Sequence, residues 1–331
     1  MLKKASILLA TLLLLLVAAG CGSKSSSDDG EIKVALLLSG PANDQGWNAT
    51  ALEGLKAAEK EYGITTAYME NVQLADMEAA YTDYATQGYD LIIGHGFQFG
   101  EAAVKVAANF PDQAFMATES SSEAENMASY VMSCEQGAYI MGMLSASMSK
   151  SGSIGVVGGF EQPSIVKEVE AYKLGAKSIN PSITVYTAYV SSWTDVTLGK
   201  EAALSMADKG ADVLYHVANQ AGTGVIKAAE ERGLLALGNS FDQSSIAPNT
   251  IVSSTVYSMP KVILAAVEQV KNGKFEGGIV HLGMKEEVVD IAGYGSFDGK
   301  LSQELKDKIA KAKADIISGA LEVPVIEKTT N

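Results

Sequence analysis

The sequence predicts an α/β protein made of two doubly wound lobes, each a parallel sheet covered by helices. Three observations predict it. Short apolar runs of strand length alternate with longer stretches of helical period along most of the chain, and repeated βα units build parallel sheets with helices on both faces. The alternation pauses after residue 150 and starts again at Ser153, which gives a second set of units. A chain of 331 residues is long enough to favour two domains over one.

The elements follow in order. Ile32 to Leu38 is a near-continuous apolar run ended by Ser39-Gly40-Pro41, the pattern of a strand buried on both faces. Trp47 to Tyr62 has a helical period: Ala51, Leu55, Ala58 and Tyr62 face the sheet, and Glu53, Lys56 and Lys60 face water. Gly63 stops this helix. The same beat gives strand 66–69, helix 76–87, strand 90–94, helix 99–109, strand 114–118 and a small-residue helix 135–149. The second set reads as strand 153–157, helix 164–178, strand 184–189, helix 197–209, strand 213–217, helix 222–232 and strand 235–238. A helix over 257–271 is expected to return to the first lobe, and a helix over 303–319 closes the chain.

The first twenty residues stand outside the fold. Lys3 and Lys4 precede an apolar run, Ile7 to Ala19, too short for an ordinary membrane span. The run ends in Val17-Ala18-Ala19-Gly20-Cys21, which resembles a bacterial lipobox. That resemblance implies lipidation of Cys21 and an extracytoplasmic, membrane-anchored protein; an ordinary secretory leader with an incidental cysteine is the other reading. Gly22 to Gly30 is rich in Ser, Gly and Asp, the composition of a flexible tether. Cys134, the second of only two cysteines, reads as a small buried apolar residue.

Composition limits the partners. Acidic side chains number 39 against 25 basic ones, a formal net charge of -14. Nucleic acid and anionic lipid surfaces require a basic face, so neither is expected. Catalytic signatures are missing: the sequence holds no GxSxG elbow, no GxxxxGK[ST] loop and no HExxH pair. The only histidines, His95, His216 and His281, are far apart, and no metal, cofactor or enzymatic activity is expected. His95 and His216 fall at strand ends, where they either touch a ligand or serve structure.

What the strand ends carry is aromatic and amide chemistry. The two tryptophans, Trp47 and Trp193, both lie in strand-end loops, within Asn43-Asp44-Gln45-Gly46-Trp47-Asn48 and Ser191-Ser192-Trp193-Thr194-Asp195. Asn219-Gln220 and Asn239-Ser240-Phe241-Asp242 follow two further strands. Ligands bind at the carboxyl ends of parallel strands. Two rings from opposite lobes could therefore sandwich a planar heterocycle whose edge the amides and carboxylates read; packing between the lobes is the alternative role for either tryptophan.

At these residues the sequence resembles the BMP (basic membrane protein) family of ABC-transporter lipoproteins, the purine nucleoside receptor-like group. The likeness also rests on Glu53-Gly54-Leu55, Gly94-His95-Gly96-Phe97, Phe110-Pro111-Asp112 and Glu135-Gln136-Gly137-Ala138-Tyr139-Ile140-Met141-Gly142. Further on it includes Gly199-Lys200-Glu201, Gly210-Ala211-Asp212-Val213, Gly222-Thr223-Gly224-Val225 and Asp242-Gln243. The resemblance implies a type I periplasmic-binding fold with a multi-strand hinge, residues 31–132 plus 255–279 in one lobe and 133–254 plus 280–331 in the other. It implies a purine nucleoside as ligand, ABC permease subunits as partners and a monomer. The implied ligand residues are Asp44, Trp47, Asn48, Phe97, Glu119, Trp193, Asn219, Ser240, Asp242 and Lys285. Trp47 and Trp193 would stack on the base, and Glu119 would bond to its edge. The family often places a ribose-gripping aspartate where this chain has Ser240. A hydroxyl is a weaker partner for ribose than a carboxylate, so a free nucleobase or another planar heterocycle is an alternative ligand, and ligand sensing without transport is an alternative role.

Overall fold

The computed structural model describes residues 32–43 and 47–329. The leader, Cys21, the tether and Asp44 lie outside the described residues.

Strand β1 (Lys33–Leu38) is followed by helix α1 (Trp47–Tyr62), β2 (Thr65–Met69), α2 (Met77–Thr86), β3 (Leu91–His95), α3 (Gly100–Ala107), β4 (Ala114–Thr118) and β5 (Met127–Met132). Then come α4 (Cys134–Met148), β6 (Ser153–Gly158), α5 (Pro163–Ile179), β7 (Thr184–Tyr189), α6 (Val196–Asp208), β8 (Val213–Val217), α7 (Gly222–Arg232) and β9 (Leu235–Gly238). The chain ends with β10 (Ile251–Tyr257), α8 (Met259–Lys271), β11 (Gly278–Leu282), β12 (Val289–Ile291) and α9 (Gln303–Ser318).

Two six-stranded sheets result, ordered β11-β5-β4-β3-β1-β2 and β12-β10-β9-β8-β6-β7. Only β12 runs antiparallel to its neighbour. Stripped of β11 and β12, the two orders are the same winding repeated. The strand interiors justify the buried assignment: every residue of β3, β4 and β8 is buried. On α1 the apolar face is buried at Ala51, Leu55 and Ala58 while Glu53, Lys56 and Lys60 are exposed, as its period predicts.

Three short connections pass between the sheets. β5 ends at Met132 and enters α4, which packs on α5 and β10; β10 ends at Tyr257 and enters α8, which packs on α1; β11 ends at Leu282, beside β5, and leads to β12 beside β10. Each crossing leaves the carboxyl end of a strand within a residue or two. The carboxyl edges of both sheets therefore face a common cleft, with the crossings at its floor.

The structure differs from the sequence reading at one helix boundary and at four strands it did not expect, β5, β10, β11 and β12. Tyr257 belongs to β10 rather than to the following helix, which starts at Met259 after Ser258 caps it by accepting the Lys261 N–H at 3.4 Å. β5, β11 and β12 carry no strand pattern clear enough to expect. β11 lies at a sheet edge with four of its five residues partly or wholly exposed, and β12 is three residues long.

Candidate functional site

The described candidates follow the carboxyl ends of strands: Trp47 and Asn48, the first residues of α1, after β1, Phe97 after β3, Glu119 after β4, Trp193 after β7, Asn219 after β8, Ser240 and Asp242 after β9, and Lys285 after β11. Three of them, Glu119, Asn219 and Ser240, have left-handed backbones with φ of 54°, 49° and 74°. Residues other than glycine avoid that region, and such strain is kept where surrounding structure over-determines it. Glu119 follows β4 and Ser240 follows β9, so they occupy corresponding places in the two windings.

Trp47 starts α1 and is half-buried. Its ring stacks on His95, centroids 4.1 Å apart and planes 22° apart. His95 is fully buried at the end of β3. Its Nε2 donates to the Trp47 carbonyl at 3.0 Å and its Nδ1 lies 3.0 Å from Thr118 Oγ1, which accepts the Gly96 N–H at 2.8 Å. His95 thus backs the tryptophan from below. Asn48 is buried, its amide against Gly40, where an added Cβ would lie 2.8 Å from Nδ2.

Trp193 is built in a parallel way. Its ring packs on Phe160, 5.1 Å between centroids, and lies over Gly159, where an added Cβ would come within 2.3 Å of the ring. The Trp193 carbonyl accepts the Ala221 N–H at 2.9 Å. Asp195 then caps α6, accepting from Thr197 N at 2.9 Å and Leu198 N at 3.2 Å. An N-cap carboxylate both satisfies orphan donors and favours the helix dipole. Each tryptophan therefore stands on a ring of its own lobe.

Glu119 accepts the Met132 N–H at 2.8 Å, and burial raises its carboxyl above the usual range, against the lowering effect of Lys167 and that hydrogen bond. Ser240 spends its hydroxyl hydrogen on Asn239 Oδ1 at 2.8 Å. Phe97 is 64% exposed and Phe241 is 55% exposed, so apolar surface remains uncovered in the loops of both lobes. Asn219, Asp242 and Lys285 are exposed; Asp242 accepts the Ser244 N–H at 2.9 Å. His216 lies buried under the second lobe's loops, bonded through Nε2 to Gln243 Oε1 at 2.8 Å. Burial pulls its pKa down to about 4, so the ring is neutral and serves to hold Gln243.

The structure adds residues the sequence reading missed. Glu135 on α4, Lys167 and Glu168 on α5, and Asn239 and Tyr257 gather at the floor of the cleft. Lys167, Glu168 and Glu135 are each less than 5% exposed. On paper Lys167-Glu168-Val169-Glu170 looks like a solvated charged face; the first half of α5 is instead buried on every side from Ile165 to Tyr172. The helical pattern over 164–178 marks the helix and not the direction of its charges. Among the described residues no cluster of His, Cys, Asp and Glu could hold a metal ion.

Residues 31–327 match the family described as ABC transporter substrate-binding protein PnrA-like, the Bmp family. The chain belongs to that family. It is 32% identical over 294 residues to the transcriptional activator protein Med of Bacillus subtilis, covering 88% of this chain and 90% of the relative. It is 31% identical to the ABC transporter nucleoside-binding protein BmpA of Lactococcus lactis, covering 92% and 94%. Among solved structures, a transcriptional activator of the comK gene from Bacillus halodurans superposes with a TM-score of 0.78 at 27% identity, over 88% of this chain and 99% of that one. The fold is the type I periplasmic-binding fold of the Bmp family's solute receptors. Family membership makes this an ABC-transporter substrate-binding protein, with a small-molecule ligand and membrane permease subunits as partners. Among the described residues no helix is long and apolar enough to cross a membrane.

Proposed function

We propose that this Bmp protein is a lipid-anchored receptor that binds a purine nucleoside between Trp47 and Trp193 and closes on it for delivery to its permease. The observation that carries the reading is the matched support of the two tryptophans, one backed by His95 and the other by Phe160 and Gly159. Rigid, pre-positioned rings suit a planar ligand because little side-chain freedom is lost on binding. The nucleoside-binding relative from Lactococcus lactis supports the ligand class. Closure follows from contacts made with both lobes only in the closed state. The anchor reading rests on the lipobox-like sequence ending in Cys21.

A free nucleobase is the second reading, and a specific observation favours it. The Ser240 hydroxyl already donates to Asn239, so it can offer a ribose hydroxyl only acceptor lone pairs. Thermal shift of the mature protein against nucleosides, nucleobases, sugars and amino acids tests both. Ligand at a hundredfold excess over Kd adds about 2.7 kcal/mol of stability. A shift with guanosine, inosine or adenosine but not with bases supports the nucleoside; a shift with bases alone supports the second reading. A shift with sugars or amino acids and none with purines refutes both.

A further inference from the structure

We infer that the Lys167–Glu168 pair on α5 positions the candidate ligand residues of both lobes at once, through the backbone and side chains of the crossings at the cleft floor. The inference rests on Glu119 and Ser240 as ligand residues.

The geometry has two arms that start from adjacent residues. Lys167 Nζ donates to the Met132 carbonyl at 2.7 Å, and the Met132 N–H donates to Glu119 at 2.8 Å. Both polar groups of one crossing residue are thus held by ionisable side chains, one from each lobe. On the other arm, Glu168 Oε2 accepts from the Tyr257 hydroxyl at 2.5 Å and from Asn239 Nδ2 at 3.3 Å. Asn239 Oδ1 in turn accepts the Ser240 hydroxyl at 2.8 Å, and the Tyr257 N–H donates to the Ser240 carbonyl at 3.0 Å. Asn239 Nδ2 also has Tyr215, Thr255 and Tyr257 oxygens at 3.0 Å each. An amide nitrogen carries two hydrogens, so these acceptors share it, and Glu168 reaches Asn239 both directly and through the Tyr257 hydroxyl.

Burial makes the pair consequential. A buried ion or polar group without its partners is costly, so neither side chain can drift without giving up its bonds to Met132 or to Asn239 and Tyr257. Glu119, Cys134, Glu135, Tyr215 and Tyr257 are the other titratable groups that act on this pair. Glu135 Oε2 lies 3.4 Å from Lys167 Nζ. Burial works against the Lys167 charge, and Glu135 beside it, with the fields of Glu119 and Glu168, holds the ammonium protonated. Glu119 and Ser240 carry left-handed backbones, conformations that need outside support, and the two arms supply it.

The test compares K167M, E168L and E168Q with the control V106A, which trims the buried core under the first sheet. Affinity for guanosine and for adenine is read by calorimetry, and hydrogen exchange is read at the Met132 and Tyr257 amides without ligand. Removing one partner of a buried bond to a charged group weakens what depends on it by about tenfold or more. K167M is expected to speed exchange at Met132 by about that factor, E168L to do so at Tyr257, and both to weaken binding similarly. E168Q keeps the accepting oxygen and is expected to stay within about twofold of wild type on both readouts. V106A is expected to lower Tm with neither change. Unchanged protection of Met132 in K167M and Tyr257 in E168L overturns the inference, as does V106A reproducing the loss of affinity and protection. If the wild-type chain binds neither guanosine nor adenine, the ligand reading fails, and the two amides still decide the positioning.

Discussion

At the scale of residues, the candidate site divides into groups the sequence announces and groups it hides. Trp47 and Trp193 announce themselves because they are the only tryptophans and both follow the ends of strands. Replacing either with alanine is expected to weaken purine binding by about 1–3 kcal/mol, the worth of a base–aromatic stack, with little loss of Tm, as calorimetry and thermal melts would show. Glu168 is hidden by its charged neighbours in sequence. Burial pushes its pKa up to about 7, against the opposing pull of Tyr257, Lys167 and Asn239. The sign of its effect on stability follows from proton binding. Between the ordinary carboxylate range and pH 7 the folded chain keeps a proton that the unfolded chain has released, so folding loses stability as pH rises through that window. E168Q removes this term. Urea unfolding at pH 5, 6, 7 and 8 is expected to show a shallower decline for E168Q than for wild type over pH 5 to 7; parallel curves would contradict it.

At the scale of elements, periodicity was readable wherever one face of an element meets water. The α1 stripe of Ala51, Leu55 and Ala58 is of that kind. It gave the extent of α5 but not the enclosure of its charges, and it missed β12, too short to show a period. The small-residue character of α4 has a direct cause. An added Cβ at Gly142 would lie 2.0 Å from the Tyr172 carbonyl oxygen on α5, and one at Gly175 would lie 1.9 Å from the Tyr139 carbonyl oxygen on α4. The two backbones approach closely because each helix offers a glycine where the other needs room. Gly142→Val must push the helices apart and is expected to cost about 3 kcal/mol, the upper range of overpacking, measured by urea unfolding. Because α4 carries Glu135 and α5 carries Lys167, the same variant is also expected to weaken ligand binding.

At the scale of the whole molecule, the two windings were legible from the βα alternation alone, because repeated βα units build parallel sheets. The crossings were less so, since β11 and β12 supply one edge strand each from the far end of the chain. Small-angle scattering is expected to show a smaller radius of gyration with a bound purine than without, if closure accompanies binding; identical curves at saturating ligand would argue for a fixed cleft. The three crossings also decide how this molecule can be divided. The first sheet draws β1 to β5 from one stretch and β11 from another, with α8 packed on α1. No uninterrupted segment encodes it, so a fragment ending at Met132 would lack an edge strand and a covering helix. A protease that cuts one crossing leaves two uncut. An exchange of one half between relatives has to move two separate pieces of gene together, which makes the receptor heritable as a whole and poorly suited to shuffling by halves.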